Sequence, residues 1–398
     1  MEQVRDVVAR RTVVFKTKNA FQLLLSPSQF IETLLELADA SRSRVSVSSL
    51  YLGSCPRSHR LVQTLTQRNL DSTFVFDYWR MQRENLSTSP LQFLKSRARI
   101  GMFMCPGTTR QLHSKTREIL GVQHSKIYAF DDVVVLSGAN LSESYYTNRQ
   151  DRYLVIRDPQ VANFAHEVVS TLYNLSIDLP IHDDLKSEKI PVHLPHPLKQ
   201  TDAFSMFCKS RLQVVMNRHR QKEPLELNPG ESLVVPAFQF GLVNYLDDSM
   251  LTMQLLRLLG FEEGWQSILA SGYLNFPGYY ERLICNSENS FQILAPSEHA
   301  NGFHKGQGSS GFVPKIYSSL NSKLFNLIQD NANVSMYQYT RDNWTFHCKG
   351  LWSYRADNEH DCLTSIGSSN FGEHLARILI LIFTQVIVLS LEISSCSF

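Results

Sequence analysis

The sequence predicts an α/β protein made by duplication: two domains, each a mixed β-sheet flanked by helices, with one active site at the pseudo-two-fold interface. Three observations carry this. Apolar runs of strand length alternate with apolar stripes at helical spacing along most of the chain. A His-x-Lys unit stands at His124-Ser125-Lys126 and again at His347-Cys348-Lys349. The two units also keep register with what precedes them. From Tyr51, in Ser49-Leu50-Tyr51-Leu52, to His124 is 73 residues; from Tyr273, in Ser271-Gly272-Tyr273-Leu274, to His347 is 74. A chance pair would not hold that spacing behind matching helix and strand series.

In chain order, the first domain spans residues 1–178. Ser26-Pro27 reads as a helix start, with Ser as N-cap and Pro at the first position. Phe30, Ile31, Leu34, Leu35 and Ala38 give its buried stripe. Strands follow at 44–48, 72–76 and 99–104, the last stopped by Pro106-Gly107. Ile127–Phe130 and Val133–Leu136 make a strand pair turning at Asp131-Asp132, and Phe164, Val168 and Leu172 mark a helix. Residues 179–236, broken by prolines, read as the connection. The second domain, 237–374, repeats the series: a leucine-rich helix over 249–259, then strands at 266–270, 291–295 and 334–339. Residues 375–398 form an apolar tail.

Composition bounds the function. With 398 residues, 43% hydrophobic and 19% charged, the chain is globular and long enough for two domains. A net charge of +2 argues against a nucleic-acid partner. Seven scattered cysteines with no Cys-x-x-Cys point to a reduced compartment without structural zinc. No metal cluster or cofactor motif is present, so none is expected. Glu2 and Asp6 among the N-terminal basic residues depart from the acid-poor pattern of a transit peptide, and no secretory signal is seen.

The candidate site follows from the repeated unit. On a strand, residues two apart share a face, so His124 and Lys126 project into one space. An imidazole to attack and an ammonium to hold non-bridging oxygens suit chemistry on a phosphate ester. Asp131 adds a carboxylate and Asn140, in Ser137-Gly138-Ala139-Asn140, a donor. The second half offers His347, Lys349 and Asn370. Another His-x-Lys, His113-Ser114-Lys115, lacks the following strand and acid and reads as a solvated stretch. Neither half is complete. One imidazole can attack phosphorus, but a second is needed to deliver and remove protons. The expected intermediate is a phosphohistidine, with Lys126, Lys349, Asn140 and Asn370 on the phosphoryl oxygens. An attacking His also needs its second nitrogen held, and Asp151, eleven residues past Asn140, is the candidate for His124.

These residues resemble the phospholipase D superfamily, whose signature is H-x-K-x4-D followed by G-[GS]-x-N. His124, Lys126, Asp131 and Asn140 match it. The second copy matches at His347, Lys349, Gly367, Ser368 and Asn370, but Tyr354 stands where Asp is expected. Its His is 23 residues from its Asn, against 16 in the first copy. Within the superfamily the chain is similar to the eukaryotic phosphatidylglycerophosphate synthases. The similarity lies in Ser49–Gly53, Ser137–Ser142 with Tyr145–Tyr153, Ser271–Phe276 and Trp344–Tyr354, and Tyr354 is itself a feature of that family. The resemblance implies transfer of a phosphatidyl group from CDP-diacylglycerol to glycerol 3-phosphate. His124 would be the nucleophile and His347 the acid and base, with Tyr354 supporting. It also implies peripheral contact with a lipid membrane, at the mitochondrial inner-membrane surface, on the way to phosphatidylglycerol and cardiolipin. The chain leaves the family after Gly372. The acid expected eleven residues past Asn370 falls on Leu381. The tail therefore reads as a foreign end rather than a membrane-seeking one, leaving the second domain without its closing elements.

Overall fold

The structure, a computed structural model, describes residues 2–9, 11, 13–84, 89–106, 121–179, 190–221, 228, 230–241, 245–304, 306, 311–355, 357–372 and, as backbone, 379–390. The His113-Ser114-Lys115 stretch, Glu373, Glu392 and much of the acidic part of the connection lie outside these residues.

Two sheets carry the molecule. The first runs, edge to edge, Ile177–Asp178, Arg99–Phe103, Asp71–Asp77, Arg44–Ser48, Ile127–Phe130, Val133–Ser137, Tyr153–Arg157 and Phe21–Leu24. The second runs Val334–Tyr339, Ser290–Pro296, Trp265–Ser271, Lys349–Arg355, Asn358–Gly367, Leu379–Ser390, Glu231–Phe240 and Phe15–Lys18. From the Arg99 strand and the Val334 strand onward, the two orders correspond strand for strand. In both, the first three strands pair in parallel and the rest antiparallel. The duplication expected from sequence is thus present as topology.

Local chemistry explains the elements. Ser26 Oγ accepts from Gln29 N at 3.2 Å, capping the helix Pro27–Ala40, which buries Phe30, Ile31, Leu34 and Ala38 against the first sheet. Asp158 caps Pro159–Asn174 in the same way, accepting from Gln160 N and Val161 N. The central strands carry apolar residues on both faces, because helices cover one face and the other packs toward the second half. One core cluster joins the halves: Phe164, Val168 and Leu172 of the Pro159 helix meet Val234, Phe238 and Ile366 of the second sheet.

Three boundaries differ from the sequence reading. Glu2–Ala9 and Phe15–Lys18 belong with the second half, since Phe15–Lys18 pairs with Glu231–Val234 and Val4 is buried in the second core. The connection is shorter than 179–236: the helix Thr201–Arg218 packs Phe204, Cys208 and Leu212 into the joint core, and Glu231 already begins a strand. Above all, the tail is not an unused end. Leu379–Ser390 pairs with Glu231–Phe240 on one side and Asn358–Gly367 on the other, in the place that Tyr153–Arg157 fills in the first sheet. Its run of apolar and β-branched residues, read from sequence as a foreign end, is what an interior strand requires.

Candidate active site

The two histidines are brought together by short strand pairs that cross between the halves. Arg149–Gln150 pairs in parallel with Thr345–Phe346, immediately before His347, and His347 N donates to Gln150 O at 2.8 Å. In the matching place, Leu379–Leu381 pairs in parallel with Gly121–Gln123, immediately before His124. His124, Ser125 and Lys126 lie between strands rather than within one. Each lysine turns back on its own histidine: Lys126 Nζ donates to His124 O at 2.8 Å, and Lys349 Nζ to His347 O at 2.5 Å.

Burial sets the electrostatics. Lys126, Lys349 and His347 are 2%, 1% and 5% exposed, while His124 is more open. Burial pushes Lys349 down to about 8 and Lys126 well below the usual lysine range, each aided by a neighbouring cation. Burial also lowers both histidines, with Lys349 and Lys126 adding to it, and His347 itself acts on His124. Both imidazoles are therefore neutral near pH 7, the form that can attack or take a proton. The cluster is poised for an anion, whose arrival favours the charged lysines again.

Asp151 does not hold His124. Its Oδ2 lies 2.6 Å from His347 Nδ1, and its Oδ1 accepts from Arg152 N at 2.8 Å. The crossing strand pair is the reason, because Asp151 follows Gln150 directly and so meets the residue after Phe346. Burial pushes its carboxyl up to about 6 against the pull of Lys349. Gly138 is needed here: a Cβ at that position would stand 2.7 Å from Asp151 Oδ1. His124 instead has the backbone of Ser368 as its hydrogen-bonding neighbour.

Asp131 is not in the site either. It sits at the far end of the Ile127–Phe130 strand, about 16 Å of chain from Lys126, in a left-handed turn at φ 46°. Its carboxylate accepts from Arg42 N at 2.8 Å, from Ser43 N and Arg44 N at 3.0 Å, and from Ser43 Oγ at 2.6 Å. Slight burial raises its pKa, but these donors outweigh it and hold the group at about 2. Tyr354 does related work in the second half, donating from its hydroxyl to Gln266 Oε1 at 2.8 Å across the strand pair. Both residues tie the end of a hairpin to the neighbouring strand, away from the chemistry. That is why Tyr can stand where the motif has Asp.

Asn140 is 3% exposed and donates from Nδ2 to Tyr145 OH at 3.1 Å. Tyr145 OH in turn lies 3.3 Å from His347 Nε2. The Oδ1 atoms of Asn140 and Asn370 and the hydroxyl of Ser368 are buried without a hydrogen-bond partner. Sequence reasoning missed Tyr145 and Arg149, although both lie in a stretch it had marked. It also missed Asp77, fully buried, which accepts from Gln123 N at 2.9 Å and acts on Lys126. No spacing rule connects Asp77 to His124.

No family model matches the chain. A Homo sapiens protein named mitochondrial CDP-diacylglycerol–glycerol-3-phosphate 3-phosphatidyltransferase is 31% identical, over 88% of this chain and 71% of its own length. A Schizosaccharomyces pombe protein named CDP-diacylglycerol–glycerol-3-phosphate 3-phosphatidyltransferase is 26% identical over 88% of this chain and 81% of its own. Among solved structures, phosphatidylserine synthase of Haemophilus influenzae aligns over 98% of this chain and 85% of its own, with a TM-score of 0.71 at 17% identity, a likeness of fold. With that identity and coverage behind it, the chain belongs to the CDP-diacylglycerol–glycerol-3-phosphate 3-phosphatidyltransferase family.

Proposed function

We propose that the chain transfers the phosphatidyl group of CDP-diacylglycerol to glycerol 3-phosphate, giving phosphatidylglycerophosphate and CMP. The observation that carries the reading is the pairing of two His-x-Lys units from opposite halves, with a carboxylate, among the described residues, on one imidazole only. His124 attacks the phosphorus next to the diacylglycerol and breaks the P–O–P bond, so that CMP leaves and a phosphohistidine remains. Lys126, Lys349, Asn140 and Asn370 bear on the non-bridging oxygens. His347 then takes the proton from the acceptor hydroxyl, which attacks phosphorus and frees His124. The imidazolium that forms on His347 is stabilised by Asp151. No step calls for a metal.

A lipid substrate calls for contact with its membrane. The helix Val313–Ile328 and the residue before it expose Phe312, Ile316, Phe325 and Leu327 beside exposed Lys315 and Lys323. Tyr317 of this helix touches Tyr273, whose ring lies 6.0 Å from that of His347, so the patch adjoins the site. Exposed apolar side chains interspersed with lysines suit peripheral docking on anionic lipid. No helix among the described residues is long and apolar enough to cross a membrane. The relatives named mitochondrial support the same compartment for this chain.

The test supplies CDP-diacylglycerol with and without glycerol 3-phosphate and follows CMP and lipid phosphorus. CMP and a new acidic lipid are expected only with the acceptor present. Acceptor-independent CMP with phosphatidic acid as product would make the chain a hydrolase instead.

A further inference from the structure

Among the described residues three cations approach the cleft, and two are committed. Lys126 and Lys349 each donate to the carbonyl of their own histidine, and Lys349 Nζ also lies 2.8 Å from His347 Nδ1. The third, Arg149, has no ion pair with Asp or Glu among the described residues. Its Nε donates to Thr345 Oγ1 at 3.2 Å, and its guanidinium carbon stands 4.7 Å from the centre of the Tyr145 ring. An Nη reaches toward Gly302, where Tyr273 OH also points; a Cβ there would be 3.2 Å from Arg149 Nη2 and 2.8 Å from the phenol oxygen. The Tyr145 and Tyr273 rings both face His347 edge-on, at 5.1 and 6.0 Å. Arg149 thus sits one phenol ring away from the imidazole, close enough to lower the pKa of both His347 and Lys349. The phenols of Tyr145 and Tyr273 favour the charged form of this guanidinium against its burial, and with no ion pair to Asp or Glu among the described residues its charge is available to an anion.

We infer that Arg149 selects the acceptor by binding its phosphate. The inference rests on the phosphatidyl-transfer reading above. His347 must receive the proton of the attacking hydroxyl, so the acceptor lies against this imidazole and not against His124. Glycerol 3-phosphate carries its phosphate three carbons from that hydroxyl, about 5–6 Å away when extended. A second anion subsite is therefore needed beside His347, set back from the two lysines that hold the reacting phosphorus. Arg149 is where that subsite falls, and its planar fork of donors matches phosphate oxygens in pairs. The phenols of Tyr145 and Tyr273 line the gap and suit a glycerol backbone.

The experiment compares glycerol 3-phosphate with glycerol as acceptors, using CDP-diacylglycerol in detergent micelles and the full chain. Arg149→Gln is expected to raise KM for glycerol 3-phosphate about 30-fold or more and to collapse its preference over glycerol. KM for CDP-diacylglycerol is expected to change by less than about 3-fold, as the donor's phosphates lie on the lysines. Arg149→Lys keeps a cation over Tyr145 and is expected to recover part of the preference, which separates lost recognition from lost folding. Equal losses for both acceptors, or for donor and acceptor alike, would make Arg149 a strut between the halves and overturn the inference. Retained preference in Arg149→Gln would overturn it as well while leaving the transfer reading intact. A wild-type chain that releases no CMP with either acceptor would remove that reading and this one together.

Discussion

His124 and His347 occupy matching places in the two halves, yet their imidazoles are held differently. His347 is buried, with Asp151 at Nδ1 and Tyr145 at Nε2. His124 is more open and, among the described residues, has a backbone neighbour, Ser368, in place of a carboxylate. The difference starts one layer out. Gly138 leaves room for the Asp151 carboxylate, whereas its counterpart Ser368 carries a side chain whose hydroxyl is buried without a partner. On the strand that would supply the second acid, the count from Asn370 reaches Leu381, and the strand register ends with Leu381 opposite Gln123, so that Ile382 follows where His124 follows Gln123. Nearly identical strand orders have thus produced two chemically distinct imidazoles. A residue that cycles through the imidazolium gains from a carboxylate, and a nucleophile kept neutral among cations needs one less. The asymmetry fits a division of labour, with His124 forming the covalent bond and His347 moving protons.

The sharpest way to break this comparison is to remove each histidine. His124→Ala is expected to lower turnover by about 10⁵-fold or more and to leave no phosphatidyl-enzyme. His347→Ala is expected to lose turnover by about 10⁴-fold while still forming the adduct slowly. Trapping with labelled CDP-diacylglycerol, acid quench and denaturing gel reads both. An adduct that survives in His124→Ala and vanishes in His347→Ala would exchange the two roles.

Next comes the carboxylate. Asp151→Asn is expected to cost about 10³-fold in kcat/KM, because the imidazolium loses its stabiliser. Ionised Asp151 is lost as pH falls through about 6, and charged Lys349 as pH rises through about 8. The kcat/KM of the native chain should therefore trace a bell between those values, and Asp151→Asn should lose the acidic limb. Its thermal midpoint should not fall. A carboxyl whose folded pKa lies above its unfolded value disfavours folding in ionised form, and the amide removes that cost above about pH 6. A lower midpoint together with an unchanged acidic limb would make Asp151 a structural residue.

A smaller gain is expected from repairing the asymmetry. Leu381→Asp or Ile382→Asp, each combined with Ser368→Gly, should speed adduct formation by about 3–10-fold if His124 lacks only a buttress. Slower formation in both pairs, with the fold kept by circular dichroism, would show that His124 works best without a carboxylate.

Most of the fold was legible in the sequence because it was written twice. Helix stripes, strand runs and the 73- and 74-residue spacings each had a counterpart that confirmed them. The tail was misread as a foreign end because the acid counted from Asn370 is missing at Leu381, and an apolar run alone does not say which strands it pairs with. Asp151 was found by its distance from Asn140, but sequence spacing cannot say which of two facing histidines a carboxylate meets; the crossing pair Arg149–Gln150 with Thr345–Phe346 decides that. Asp77, Tyr145 and Arg149 act from separate elements, and no local pattern marks them as neighbours of the imidazoles.

The smallest effects are expected at the two residues that the motif aligns and the fold uses alike. Asp131 collects four hydrogen bonds from Ser43 and the backbone of 42–44, all at the end of the hairpin away from His124. Asp131→Ala should lower stability by about 1–2 kcal/mol, discounted for its partial exposure, and leave kcat within about 3-fold. The sign with pH follows from its depressed pKa. The stabilisation is present above the unfolded value near 3.8 and is lost as pH falls toward 2. Urea unfolding at pH 7 and pH 3 reads it: the gap between native and Asp131→Ala chains should narrow at the lower pH. Tyr354→Phe loses one hydroxyl contact to Gln266 and should cost about 0.5–1 kcal/mol with no pH dependence over that range. A loss of kcat at Asp131 comparable to that at Asp151 would bring the carboxylate back into the chemistry and undo the separation of site from scaffold drawn here.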